Sequence, residues 1–202
     1  MSTMSRREAL AVMASLPLLS ALRPLHQRLG LDAIEAASLA AEEALAAGPP
    51  YTPKFFTPHE WRTVRVLADL VIPRDARSGS ATDAGAPEFM DYILSEYPDQ
   101  QLGIRGGLGW LDAESERRFG MRFVESDAQA RRRILDDVAW PGRARGEMKP
   151  GAAFFSRFRD LIAAGFWSSP MGIADLQYLG NTGTVWDGCP PEALRKLGVS
   201  YT

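Results

Sequence analysis

The chain is 202 residues long and 46% hydrophobic, with a formal net charge of −2. That length suits a single domain with one core, and the near-neutral balance excludes a global basic field for nucleic acid. The one cysteine, Cys189, excludes an internal disulfide, a CxxC redox pair, a CxxCH haem attachment and any multi-cysteine iron–sulfur or zinc site. With His26 and His59 as the only imidazoles, a histidine-rich metal site is not expected either, so no cofactor is expected in this chain.

The N-terminus reads as an export signal. Arg6-Arg7 precede a short, mildly apolar run, Ala11–Leu22, which is the layout of a twin-arginine (Tat) leader. The run is too short for a comfortable membrane span and is interrupted by Pro17. The plainer alternative is an amphipathic N-terminal helix that happens to begin with two arginines. We expect residues 1–30 to be the signal segment, with Arg6 and Arg7 addressing the Tat translocase and the mature chain in the periplasm. The Tat route carries folded proteins, so a leader on a chain without cofactor motifs suggests that a folded partner travels with it.

Residues 31–52 are alanine-rich up to Gly48-Pro49-Pro50 and are expected to link the leader to a helical domain over 53–202. In that domain Thr57 reads as an N-cap, with Pro58 at the first helical position and Glu60 completing a capping box. Trp61, Val64, Leu67, Ala68, Val71 and Ile72 form an apolar stripe at helical spacing, and Pro73 stops the helix. A Ser/Gly/Ala/Thr loop leads to a second helix, Pro87–Tyr97, with Phe89, Tyr92, Ile93 and Tyr97 on one face. Asp83 and Glu88 are expected to be solvated charges favoured by that helix's dipole rather than an acid–base pair.

A long helix is expected over Asp99–Gly120, with Leu102, Leu108, Leu111, Ser115 and Phe119 on one face. Its glycines 103, 106, 107 and 109 lack the strand and spacing of a dinucleotide loop, so close helix–helix approach is their expected role. Ser126 is expected to cap a helix over Asp127–Val138, in which Arg131-Arg132-Arg133 spread around a solvated surface. Residues 152–166, with Phe154, Phe155, Phe158, Leu161 and Ile162 as a dense stripe, read as the central helix of a bundle. Gly165–Pro191 shows no helical period and is rich in glycine, proline and aromatics, the composition of an irregular binding segment or of a loop packed on its own bundle. Cys189 within it is expected to be a small buried apolar residue, and Pro191–Leu197 a short helix stopped by Gly198. No alternating strand is present, so the expected fold is all-α: a small helical bundle with a long irregular Gly/Pro/aromatic C-terminal segment.

Two stretches carry a resemblance. Phe56–Trp61, Leu67–Asp75 and Ser78–Asp91 are similar to the opening of the gluconate 2-dehydrogenase subunit 3 family. Ser169-Pro170, Tyr178, Gly180-Asn181, Gly183, Trp186 and Gly188 resemble its closing motif. The wording of Asp175–Thr182 and Trp186–Glu192 looks closest to members paired with flavin-dependent glycoside 3-dehydrogenases, while Ile173–Leu176 reads as an insertion. The resemblance implies a non-catalytic small subunit that binds, stabilises and exports a large dehydrogenase subunit of the glucose–methanol–choline (GMC) type. FAD would sit in that subunit, and a cytochrome c would accept the electrons. The contact surface expected from it is Ile72 and Pro73 with Trp167, Tyr178, Gly180, Asn181, Trp186 and Gly188. A periplasmic binding or scaffold module for another partner is the first alternative. The second is a stand-alone enzyme using His59 with Asp69 or Glu60. Residues 59 and 69 are too far apart along one helix to pair, and Glu60 is committed to the cap.

Overall fold

A computed structural model describes residues 30–48, 51–178 and 188–200. Eight α-helices account for most of them, with no strand among the described residues: α1 (Leu31–Ala47), α2 (Pro58–Val71), α3 (Ala86–Glu96), α4 (Gln101–Phe119), α5 (Ala128–Val138), α6 (Met148–Ser168), α7 (Pro170–Asp175) and α8 (Pro191–Leu197). The all-α expectation holds. Helix α6 is the hub, packing against each of α1 to α5 and against α7. Its Phe154, Phe155, Phe158, Leu161, Ile162 and Phe166 are all buried, as the stripe predicts. It is longer than expected at both ends, and the N-terminal extension is tolerated because Pro150 falls in its first turn, where a missing N–H costs nothing.

Helix α2 forms as read. Thr57 Oγ1 accepts from Glu60 N at 3.3 Å, and Glu60 Oε2 accepts from Thr57 N at 2.8 Å. Arg105 of α4 reinforces the cap, donating to Glu60 Oε1 at 2.9 Å and to the Phe55 carbonyl at 2.8 Å while lying over the Phe55 ring.

Several expectations are corrected. Residues 31–47, whose alanine-rich sequence allows a helical linker, form a helix that packs onto the domain, with Ala33, Ala37 and Ala41 at four-residue steps against α3 and α6. Small side chains let α1 approach closely, and an alanine stripe is nearly invisible as an apolar pattern. Glu88 is not solvated but only 4% exposed, because α3 is covered on nearly all sides. Burial pushes its carboxyl up, partly opposed by Arg65, whose Nη1 lies 3.3 Å away; its Oε2 has no partner. Asp83 stays partly exposed, accepting from Ser80 N at 2.7 Å and Arg74 Nη2 at 2.7 Å, which holds its carboxyl below the usual range.

On α4 the inward series is Ile104, Leu108, Leu111 and Ser115. Leu102 lies nearly half a turn off it and is 83% exposed. The glycine expectation holds at two positions: a Cβ on Gly107 would overlap the Phe154 ring, and one on Gly103 would overlap Arg157. In return Trp110 sits where a Cβ on Gly151 of α6 would be, while Gly106 and Gly109 face open space. The N-cap of α5 is Asp127, which accepts from Ala130 N at 2.7 Å; Ser126 is buried with its hydroxyl 2.8 Å from that of Ser115. Arg131 folds back onto the carbonyls of Phe123 and Val124, leaving Arg132 and Arg133 exposed.

The start of the C-terminal segment is helical rather than irregular. Trp167 lies in the last turn of α6, and Ser169 caps α7 by accepting from Gly172 N at 3.1 Å. Cys189 is exposed, not buried, and α8 ends at Gly198 in the left-handed region, as expected. Arg6, Arg7, Gly180, Asn181 and Trp186 lie outside the described residues.

Candidate functional site

The exit of α2 is a turn held by hydrogen bonds at almost every step. Asp75 Oδ1 accepts from Arg77 N at 2.7 Å and Ser78 N at 2.9 Å, which keeps its carboxyl below the usual range. The Ile72 carbonyl accepts from Ala81 N at 2.9 Å, closing the loop. Asp69 pins its far side by accepting from Thr82 N and Thr82 Oγ1 at 2.9 and 2.8 Å. The turn therefore projects Pro73, Arg74 and Arg77 to solvent, while Ile72 is half-buried against the core.

The same turn lies against α7. Gly79 leaves room for Met171, whose Sδ would be 2.9 Å from a Cβ there. Arg77 donates to the Asp175 carbonyl, and its Nη2 stands 3.0 Å from Asp175 Oδ1. Between turn and helix runs a groove of about 450 Å³, lined by residues 77–79 on one side and by Met171, Ala174, Asp175 and Gln177 on the other. Gln177 has a φ of 54°, a left-handed conformation uncommon outside glycine. Ile173, Leu176 and Tyr178 are exposed beside it, Tyr178 at 65%.

The structure thus brings the turn that begins at Ile72 and Pro73 against the first part of the C-terminal segment. Trp167 is partly exposed, edge-on to Phe166, and Gly188 takes a positive φ of 86°. Sequence reasoning missed Arg77, Asp175 and Gln177, because nothing local couples a loop arginine to a carboxylate 98 positions later.

The catalytic alternative is not assembled. His59 Nε2 lies 2.5 Å from Asp112 Oδ2, whose other oxygen accepts from Phe123 N at 3.1 Å. His59 Nδ1 is buried without a partner, so the ring pairs with neither Asp69 nor Glu60. Asp69 serves Thr82, and Glu60 serves the cap. Among the described residues no group of three or more His, Cys, Asp or Glu side chains converges as a metal site, and no helix is long and apolar enough to cross a membrane.

A family model described as gluconate 2-dehydrogenase subunit 3 matches residues 58–188, which span both the α2 exit and the segment after α6. No curated protein and no solved structure matches the chain.

Proposed function

Because the chain belongs to the gluconate 2-dehydrogenase subunit 3 family, we propose that it is the non-catalytic small subunit of a flavin-dependent sugar dehydrogenase. Membership makes it one component of a multi-subunit dehydrogenase. In our reading it binds and stabilises a large FAD-containing subunit of the GMC type and escorts it through the Tat pathway to the periplasm, where a cytochrome c takes the electrons. The tail wording over Asp175–Thr182 and Trp186–Glu192 favours a glycoside 3-dehydrogenase over a gluconate enzyme.

The observation that carries the reading is the family match running through both stretches, and among the described residues the α2 exit lies against the start of the second, Met171–Gln177. An edge with exposed Ile173, Leu176 and Tyr178 suits contact with another protein, since aromatic and aliphatic anchors are what subunit interfaces bury. The engagement of His59, Asp69 and Glu60 in structural contacts also supports an accessory role.

The test is co-expression with the large flavoprotein subunit encoded beside it, comparing wild type with Arg6→Lys/Arg7→Lys. Periplasmic flavin and sugar-oxidising activity are expected to vanish when the arginines change. Export of the flavoprotein regardless of that change would overturn the escort function, and failure of the two chains to co-purify would overturn the subunit assignment.

A further inference from the structure

We propose that residues 51–56, the segment leading into the α2 cap, form a proton-sensitive strap, closed while Glu88 beneath it carries a proton and opened locally once that carboxyl ionises. The device belongs to the chain itself and is independent of the small-subunit reading.

The strap is fastened to α3 through Asp91, which accepts from the Tyr51 hydroxyl and from the backbone N–H groups of Lys54, Phe55 and Phe56. Glu88 lies three residues earlier on the same helix, about one turn away. Its Oε1 is 3.3 Å from Arg65 Nη1, and its buried Oε2 has no partner. The Tyr51 and Trp61 rings are 5.3 Å apart, and Arg65 Cζ stands 5.9 Å from the Trp61 ring centre. Tyr51, Trp61 and Arg65 thus form one layer, which meets Glu88 through Arg65 and acts on Tyr51 from the same side.

The two carboxyl groups are unequally provided for. Asp91 has its donors, whereas an ionised Glu88 would add a second negative charge one turn away with one oxygen buried and unbonded. Like charges at that spacing on a helix repel, and a buried charge short of donors is strongly disfavoured. A proton on Glu88 removes both penalties. Burial accordingly pushes its carboxyl up; its own backbone N–H and Arg65 pull the other way, and Asp91 adds to the rise. Burial and then Asp91 push the Tyr51 hydroxyl up, so it remains a donor to Asp91. Among the described residues, Arg65, Asp91 and Tyr51 are the ionisable groups coupled to Glu88. The strap is therefore tight below the ordinary carboxyl value of 4.5 and loosens as pH rises through the higher folded one.

The packing decides which side yields. Helices α1 and α6 meet α3 through buried small groups, Ala33, Ala37 and Ala41 from α1 and Gly165 of α6 against Phe89 and Ala86. In the layer over Glu88, by contrast, Arg65 is 44% exposed and Tyr51 and Trp61 are half-buried. Displacing that layer hydrates the ionised carboxyl without opening the core, and local openings of that kind lie below global unfolding in free energy. Tyr51 is the strap's own residue in the layer, so its displacement carries the strap with it.

The test is amide hydrogen exchange of the full chain from about pH 4 to about pH 8, with rates corrected for their intrinsic pH dependence. Protection at Lys54, Phe55 and Phe56 is expected to fall about tenfold as pH rises, while the α6 amides of Phe158, Leu161 and Ile162 keep theirs. Glu88→Gln, with no proton to lose, is expected to hold the low-pH protection of the wild type across the range. Arg65→Gln is expected to move the midpoint to higher pH, because the cation that favours the ionised carboxyl is gone. Circular dichroism of each variant should show the wild-type helix content. An identical profile in wild type and Glu88→Gln, an equal loss at the strap and α6, or a midpoint lowered by Arg65→Gln would overturn the strap. The subunit assignment is tested separately, by co-purification.

Discussion

Asp91 and Asp175 are both withdrawn from water, and their surroundings differ completely. Asp91, fully buried on α3, accepts from the Tyr51 hydroxyl at 2.9 Å and from the backbone N–H groups of Lys54, Phe55 and Phe56 at 2.7, 3.0 and 3.3 Å. Those bonds fix the chain segment that leads into the α2 cap, and burial together with Asp91 raises the pKa of the Tyr51 hydroxyl. Asp175 sits on a six-residue helix at the surface, its Oδ1 3.0 Å from Arg77 Nη2. A carboxylate saturated from within fixes the scaffold, whereas one paired with a largely exposed guanidinium ties a surface turn to a surface helix. Glu88 lies between these cases, with Arg65 near one oxygen and none near the other.

The comparison breaks first at Asp91. Asp91→Ala strands one hydroxyl and three backbone N–H groups, so we expect a loss of about 3–4 kcal/mol, read as a lowered urea midpoint with unchanged slope. A loss under about 1 kcal/mol would mean that the 51–56 segment is not held by this carboxylate. Next in size is the cap that Asp91 helps to position. Thr57→Ala removes the acceptor for Glu60 N and should cost about 1 kcal/mol by thermal unfolding.

Glu88 sharpens the comparison through its pH dependence. Its folded carboxyl is raised above the ordinary value of 4.5, chiefly by burial and further by Asp91, with Arg65 opposing. The folded state therefore holds the proton longer than the unfolded chain, so stability is fully present below the ordinary value and falls as pH rises through the folded one. Glu88→Gln removes that loss. We expect it to stabilise the chain at pH 7 by about 1 kcal/mol, the cost of one buried unsatisfied oxygen, and to have no stabilising effect at pH 4. Equal effects at both pH values would show that Glu88 is ionised in the fold without cost. The smallest expected effect is that of Asp175→Asn on the isolated chain, within about 0.5 kcal/mol by the same melts, because its ion pair is with an arginine that is largely exposed.

Local features were legible in the sequence. The capping box at Thr57 and Glu60, the stop at Pro73, the phenylalanine stripe of α6 and the glycine stop after α8 all appear as read. The family resemblance carried by Phe56–Asp91 and by the tail was legible too, and the match over residues 58–188 bears it out. Less local features were misread. Ser126 was expected to cap α5, but its neighbour Asp127 does so, since two adjacent cap residues differ only in which one the preceding turn delivers. Leu102 was placed inward, but the register set by Ile104, Leu108 and Leu111 turns it out. At the candidate site Pro73 and Tyr178, expected to meet a partner, are solvent-exposed, whereas Arg77, Asp175 and Gln177 were not singled out.

The division follows from range. Caps, stops and stripes are made by groups within about four residues of one another, so residue order suffices to specify them. The packing of the α1 alanines, the burial of Glu88, the His59–Asp112 contact across 53 positions and the Arg77–Asp175 contact across 98 join groups that meet only after the helices have packed. Which donors each carboxylate meets was decided by the tertiary fold, because hydrogen bonding depends on which groups packing brings within about 3 Å.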